Sequence, residues 1–317
     1  MKIIVRALSV LLLSIATAAY ANGYPERPIT ILVPFSAGGA TDVFVRTLSA
    51  SVSKTLGKPI VVENKPGGNG IIAAQQVANS KPDGYTLLMT IAGVFRQPHV
   101  QPTSFNPLKD LTYVAMTNEY DLSVVVRNDS PWKTMKDMVD ATKKNPGQIF
   151  YGVPTLMGTQ DLAMIALATK EQLDWTTVPF KGDTESLIAL VRGDVQASIT
   201  AGNVSLPLEK DNKVRVLASL NDSRSRGRPD VSTWKEEGFS VSASSASGIA
   251  GPAGMPEAVV QKLSAAVNTA LQDPQLIERA ESLGIIIKYQ DPKEYTEFAR
   301  NMFGSSKALI EEALKRK

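Results

Sequence analysis

Residues 28–42, Pro28-Ile-Thr-Ile-Leu-Val-Pro-Phe-Ser-Ala-Gly-Gly-Ala-Thr-Asp42, decide how the rest of the chain is read. Ile29 to Val33 is a short β-branched run, the pattern of a buried strand. Pro34 stops it, and Ser36 to Gly39 make a loop of small residues. Ala40 to Leu56 then reads as a helix with apolar positions at Val43, Leu48 and Val52 and a stop at Gly57. A strand that feeds a glycine loop and opens a helix leaves backbone N–H groups free at the helix start, where the helix dipole favours an anion. The alternative is that Gly38 and Gly39 serve only a tight strand-to-helix turn.

Outward from this unit, strand and helix patterns alternate along the chain, as in a parallel-sheet α/β architecture. Strands are predicted at 59–63, 85–90, 111–116, 122–126, 149–153, 175–180, 195–200, 214–220 and 285–288. Helices are predicted at 69–79, 133–144, 160–171, 184–192, 204–209, 257–272, 274–283 and 292–315. The Pro- and Asn-containing segment 93–109 reads as a loop, and the low-complexity stretch 240–247 as an extended crossover. No repeat of 20–50 residues is visible.

Lys2 and Arg6, the apolar run Ala7 to Ala18 and the sequence Ala19-Tyr20-Ala21 have the form of a secretory leader cleaved after Ala21. The run falls short of the roughly 18 residues that span a bilayer. A soluble protein of the periplasm is therefore expected, a retained uncleaved anchor being the alternative. Without Lys2 and Arg6 the chain has 32 basic against 31 acidic residues, too even a balance for a general nucleic-acid or membrane field. It contains no cysteine, which removes disulfides, thiol chemistry and zinc thiolates. His99 is the sole histidine, so a His-cluster metal site is excluded and a catalytic triad would have to use that one residue. The loose G-x-G-x-x-A pattern Gly68-Asn-Gly-Ile-Ile-Ala73 follows the second strand rather than the first, a poor position for a dinucleotide. No catalytic residue, metal or cofactor is assigned.

Several signatures stand in order: Val33-Pro-Phe-Ser-Ala-Gly-Gly-Ala-Thr-Asp42, Val61-Val-Glu-Asn-Lys-Pro-Gly-Gly-Asn-Gly70 and Pro82-Asp-Gly-Tyr-Thr-Leu-Leu88. Val178-Pro-Phe-Lys-Gly182, Pro229-Asp-Val231 with Glu237-Gly-Phe239, and Gly251-Pro-Ala-Gly-Met-Pro256 continue them. Together they resemble the Bug/TctC family, the extracytoplasmic solute receptors of tripartite tricarboxylate transporters. The resemblance implies a two-lobed, Venus-flytrap (type II) periplasmic binding protein, each lobe a mainly parallel sheet flanked by helices. Lobe 1 would take residues 22–124 and 248–317, and lobe 2 residues 125–247. It implies a small dicarboxylic, aromatic or amino acid as ligand, held by two loops at helix N-termini. The partners would be membrane permease subunits, and the receptor a monomer. A receptor feeding a sensor kinase is the second reading, and an exported enzyme a third.

On the first lobe the resemblance carries over Phe35, Ser36, Ala37, Gly38, Gly39, Thr41 and Asp42. Asp42 should support the helix start and pair with Arg46 one turn on rather than touch an anion. The second loop, Tyr151-Gly-Val-Pro-Thr-Leu-Met-Gly-Thr-Gln-Asp-Leu162, departs from the family. Thr155, Met157, Gly158 and Thr159 are its candidate contacts, but Asp161 stands where a histidine is usual. Val153, Leu156 and Met157 either pack on their own lobe or line a pocket for an apolar or aromatic acid. Thr90 and Ala92, after the third strand, are further candidates, as is Asn203. Asp183 either orients a ligand amine or hydroxyl or N-caps its helix.

Overall fold

The computed structural model describes residues 23–221, 223–225, 227–241 and 245–315; the leader expected at 1–21 lies outside them. The chain runs β1 (Ile29–Val33), α1 (Ala40–Leu56), β2 (Ile60–Asn64), α2 (Ile71–Ala78), β3 (Thr86–Thr90), α3 (Ala92–Val100), α4 (Pro107–Asp110) and β4 (Leu111–Tyr120). It continues through β5 (Leu122–Arg127), α5 (Met135–Lys144), β6 (Ile149–Val153), α6 (Thr159–Glu171), β7 (Trp175–Pro179), α7 (Asp183–Arg192) and β8 (Ala197–Ala201). Then come α8 (Leu206–Lys210), β9 (Val214–Ser219), β10 (Ala246–Pro252), α9 (Glu257–Ala270), α10 (Pro274–Ser282), β11 (Ile285–Gln290) and α11 (Pro292–Lys315).

These strands form two mixed sheets, ordered β11-β4-β10-β3-β1-β2 and β7-β6-β8-β5-β9. In each, a parallel core is joined by antiparallel strands. β1 is parallel to β2 and β3, and β6 to β7 and β8. β10 runs antiparallel to β3, and β5 to both β8 and β9. The chain gathers into two compact units. One takes the residues up to Thr117 with Ser247–Ile277 and Lys288–Phe303; the other takes Asn118–Ala246, Glu278–Ile287 and the chain from Gly304 onward. The C-terminal part, placed wholly in lobe 1 by the sequence reading, is thus divided between them.

Both parallel cores have one topology. β1-α1-β2-α2-β3 and β6-α6-β7-α7-β8 each set the first strand in the middle, the second on one side and the third on the other. Strand order therefore reverses beside β1 and beside β6, and the loops at their carboxyl ends diverge there. β1, flanked on both sides, is buried almost throughout, as its β-branched composition requires. The second unit's core packs Tyr151, Met164, Leu167, Ile199 and Trp234 around β6 and β8.

One expectation fails. Segment 93–109 is not a loop but carries α3 and α4. Pro98 sits inside α3, yet Val94 and Phe95 are fully buried, and that packing outweighs the lost backbone hydrogen bond. β10, a segment to which the sequence reading assigns no element, is a wholly buried strand between β4 and β3. Its small residues are what fit there, since a Cβ on Gly248 would lie 2.4 Å from the Ala115 carbonyl oxygen.

Candidate functional site

The loop after β1 is built by Asp42. Its Oδ2 accepts the Gly38 N–H at 2.9 Å, bending the chain back where Gly38 has φ +84°, a conformation suited to glycine. Gly39 is the N-cap of α1, extended at φ −75° and ψ 167°, and offers no side chain to the helix start. The first intrahelical bond runs from Val43 N–H to Gly39 O at 3.0 Å, so the N–H groups before it have no carbonyl partner in the helix. Phe35, Ser36, Ala37, Gly38 and Gly39 are all exposed, and Thr41 and Asp42 are buried beneath them.

Asp42 pairs with Arg46 as expected, Nε lying 3.0 Å from Oδ1. The sequence reading missed Asn64 at the end of β2. Its Nδ2 donates to Asp42 Oδ1 at 2.9 Å and to the Phe35 carbonyl at 3.0 Å, and its Oδ1 accepts from Arg46 at 2.9 Å. The one signal for it was its place in the Val61-Val-Glu-Asn64 signature. The Arg46 bond, the Gly38 N–H and Asn64 together hold the Asp42 carboxyl down at about 2, against the pull of burial. Arg46 is thereby tied into the support of the loop.

The second unit repeats this construction with other residues. Met157 takes the left-handed place of Gly38, at φ +59°, and Asp161 Oδ2 accepts its N–H at 2.8 Å. Gly158 is the N-cap of α6, extended at φ −74° and ψ 177°, and Leu162 N–H closes the first helical bond on Gly158 O at 3.0 Å. Asp161 is held by hydroxyls in place of a guanidinium: Thr177 donates to Oδ1 at 3.0 Å and Tyr151 at 3.3 Å. Of the three apolar residues in question, Val153 is buried in its own unit. Met157 packs partly against Leu162, Ile310 and Ala313. Leu156 remains 40% exposed, much as Phe35 is 41% exposed on the first loop.

The remaining candidates sit in varied surroundings. Thr90 is buried, and its hydroxyl bonds the Gly248 carbonyl at 3.0 Å and the Tyr295 hydroxyl. Ala92 is the first residue of α3 and is buried. Thr155 is exposed with its hydroxyl on the Pro154 carbonyl, and Thr159 is buried. Asn203 donates to the Glu281 and Ser282 carbonyls at the end of α10, at 2.7 and 3.3 Å. Asp183 does not cap its helix: Gly182 is the N-cap and receives no side-chain bond. Burial raises the Asp183 carboxyl to about 7, opposed only by a hydrogen bond from the Ala201 backbone. His99, read in a loop, lies on α3 with Nε2 2.9 Å from the Phe303 carbonyl oxygen. Among the described residues no cluster of acidic and histidine side chains is placed to hold a metal, and no helix is long and apolar enough to cross a membrane.

Two α/β units, each presenting an uncapped helix start on an exposed glycine-bearing loop, define a periplasmic binding protein. Residues 44–314 match the model of the tripartite tricarboxylate transporter family receptor, TctC, and the chain belongs to that family. A protein from Cupriavidus necator, described as a UPF0065 protein in the gbd 5' region, is 36% identical over 92% of this chain and 89% of its own. The crystal structure of a TctC solute-binding protein from Polaromonas is similar, with a TM-score of 0.82, 27% identity and coverage of 91% of this chain and 99% of that one. So are MatC from Rhodopseudomonas palustris with bound malate (TM-score 0.74, 28% identity, 90% and 100% covered) and an R. palustris protein with adipate (0.78, 26%, 92% and 98%).

Proposed function

We propose that this protein is an exported periplasmic receptor that captures a small carboxylate and delivers it, as a monomer and without chemical change, to the membrane permease of a tripartite tricarboxylate-type transporter. The observation that carries the reading is the twinned loop: Gly38-Gly39 over Asp42 and Met157-Gly158 over Asp161. In each, a carboxylate accepts the N–H of the left-handed loop residue, and the helix start that follows has no side-chain cap. A carboxylate is the matching ligand, because backbone donors and the helix dipole act on negative charge together. Four or five such charge-assisted bonds at roughly 1.5–3 kcal/mol each give a gross term of about 6–15 kcal/mol, which brings micromolar binding, about 8 kcal/mol, within reach after association costs of roughly 4 kcal/mol or more. Arg46 is engaged by Asp42 and Asn64, so the backbone supplies the charge recognition.

Malate and adipate in two structural neighbours support dicarboxylic acids as the first class to test. The exposed Phe35 and Leu156 add apolar surface beside the donors, suited to a ligand with a hydrocarbon or aromatic body. The test is a thermal-shift and titration-calorimetry panel of dicarboxylic, aromatic and amino acids on the mature chain. A ligand that binds the native state raises its apparent stability. Failure of every carboxylate to bind at millimolar concentration would refute the proposal.

A further inference from the structure

The second unit holds three polar groups that the support of its loop does not use. Asp183 opens α7 without capping it; its carboxyl takes a bond from the Ala201 backbone, and Oδ1 is buried with no partner among the described residues. Ser123 and Thr200 stand directly opposite one another in the antiparallel register of β5 and β8, so both side chains leave the sheet on one face. That face lies under α7, because Ser198, two residues before Thr200, shares a 2.5 Å hydrogen bond with Ser186 of α7. Asp183 is one turn before Ser186, and Thr200 is two strand positions beyond Ser198. Helix and strand thus carry both groups to the same corner. Thr200 is 0% and Ser123 1% exposed, yet neither hydroxyl has a partner among the described residues.

A buried oxygen without a partner bears its full desolvation cost, and native interiors leave few of them. Three in one corner point to a shared partner. The corner lies at the carboxyl end of β8, next to β6, where strand order reverses and open α/β sheets take their ligands. The ionised carboxyl and two hydroxyls accept hydrogen bonds and suit a ligand group that donates them, whereas a second ligand carboxylate would oppose ionisation of Asp183.

We propose that Asp183, Thr200 and Ser123 form a specificity corner that selects carboxylic acids carrying a hydroxyl or ammonium donor on the carbon chain. This rests on the receptor reading above.

The test is titration calorimetry of the mature chain with L-malate, L-aspartate and succinate, which share a four-carbon backbone and differ at one substituent. Malate or aspartate should bind about tenfold or more tighter than succinate. A preference for malate alone identifies a hydroxyl and for aspartate alone an ammonium, and either supports the corner. Asp183→Ala and the isosteric Thr200→Val should each pull the ratio toward one, chiefly by weakening the donor-bearing acid. Succinate binding as tightly as both others, or a ratio unmoved in both variants, would overturn the proposal while leaving the receptor reading standing. Loss of both readings would look different: no acid of the wider panel would bind at all.

Discussion

The Asp161 carboxylate accepts the Met157 N–H at 2.8 Å, the same bond in the same place as that between Asp42 and Gly38 at 2.9 Å. A glycine and a methionine, whose conformational costs differ most in the left-handed region, are thus held in one geometry by a carboxylate four residues on. The acid is therefore a structural element of each loop. An aspartate could then stand beneath the proposed anion site with its charge taken up by the N–H of the left-handed loop residue.

Asp161→Asn should loosen the second loop. The amide retains the shape but replaces a charged acceptor, so the Met157, Thr177 and Tyr151 bonds weaken together. We expect about 1–3 kcal/mol of lost stability in denaturant unfolding. Carboxylate affinity should fall by about tenfold through disorder of the helix start. Stability and affinity both equal to wild type would contradict this role.

Asp42 makes acid stability a reporter of the first loop. Its carboxyl is held at about 2, below the unfolded value, so the stability it adds is complete above about pH 4 and is lost as pH falls toward 2. With Arg46 half exposed and its charge screened, that contribution is roughly 1–2 kcal/mol. Asp42→Asn should be less stable than wild type at pH 6, with the gap closing between pH 4 and 2. A gap independent of pH would place the effect elsewhere.

Asp183 has the opposite sign. Its carboxyl is raised to about 7, so folding is unopposed by it below about pH 4, and stability is lost as pH climbs from there through 7. Asp183→Asn removes that slope. The variant should match wild type near pH 4 and exceed it at pH 8 by a few kcal/mol at most. Chemical denaturation across that range measures it, and equal stabilities at pH 8 would show that the carboxyl is not held up by burial.

Gly248→Ala should be among the most damaging single changes in the first unit. The added Cβ meets the Ala115 carbonyl oxygen at 2.4 Å and the Met116 Cα at 2.7 Å, both backbone atoms of the neighbouring strand. β10 is central and wholly buried, so relief requires the sheet to open locally. A loss of about 3 kcal/mol or more is expected in thermal or denaturant unfolding.

What could be read from the sequence follows its local signals. The β1–α1 unit was legible because Ile29 to Val33, the Gly38-Gly39 pair and Gly57 each act within a few residues. The Asp42–Arg46 pair was legible because helix geometry sets its spacing. β10 was not legible, since Gly248 and Ala250 mean nothing until Ala115 is known to lie against them. α3 was hidden by Pro98 for a similar reason: the burial that holds it comes from distant residues. Ser123 and Thr200 carry no local pattern at all, and only the register of β5 and β8 brings them face to face. The twin of the first loop was half legible, with Gly158 and Asp161 visible but Met157 unrecognisable as a left-handed residue.

Gly39 offers the cleanest separation of binding from folding. Unlike Gly38, it has a negative φ that any residue adopts, and a Cβ there approaches nothing closer than the Ser36 carbonyl oxygen at 3.7 Å. Gly39→Val should therefore fold with a stability change near 1 kcal/mol or less. Its branched side chain, however, stands over the N–H groups that open α1, where the ligand carboxylate would lie. Affinity for the cognate acid should fall by 100-fold or more in calorimetry, and Gly39→Ala should fall between the two. If Gly39→Val binds as wild type does, the start of α1 is not where the carboxylate is held, and the likeness between the two loops would be a matter of folding alone.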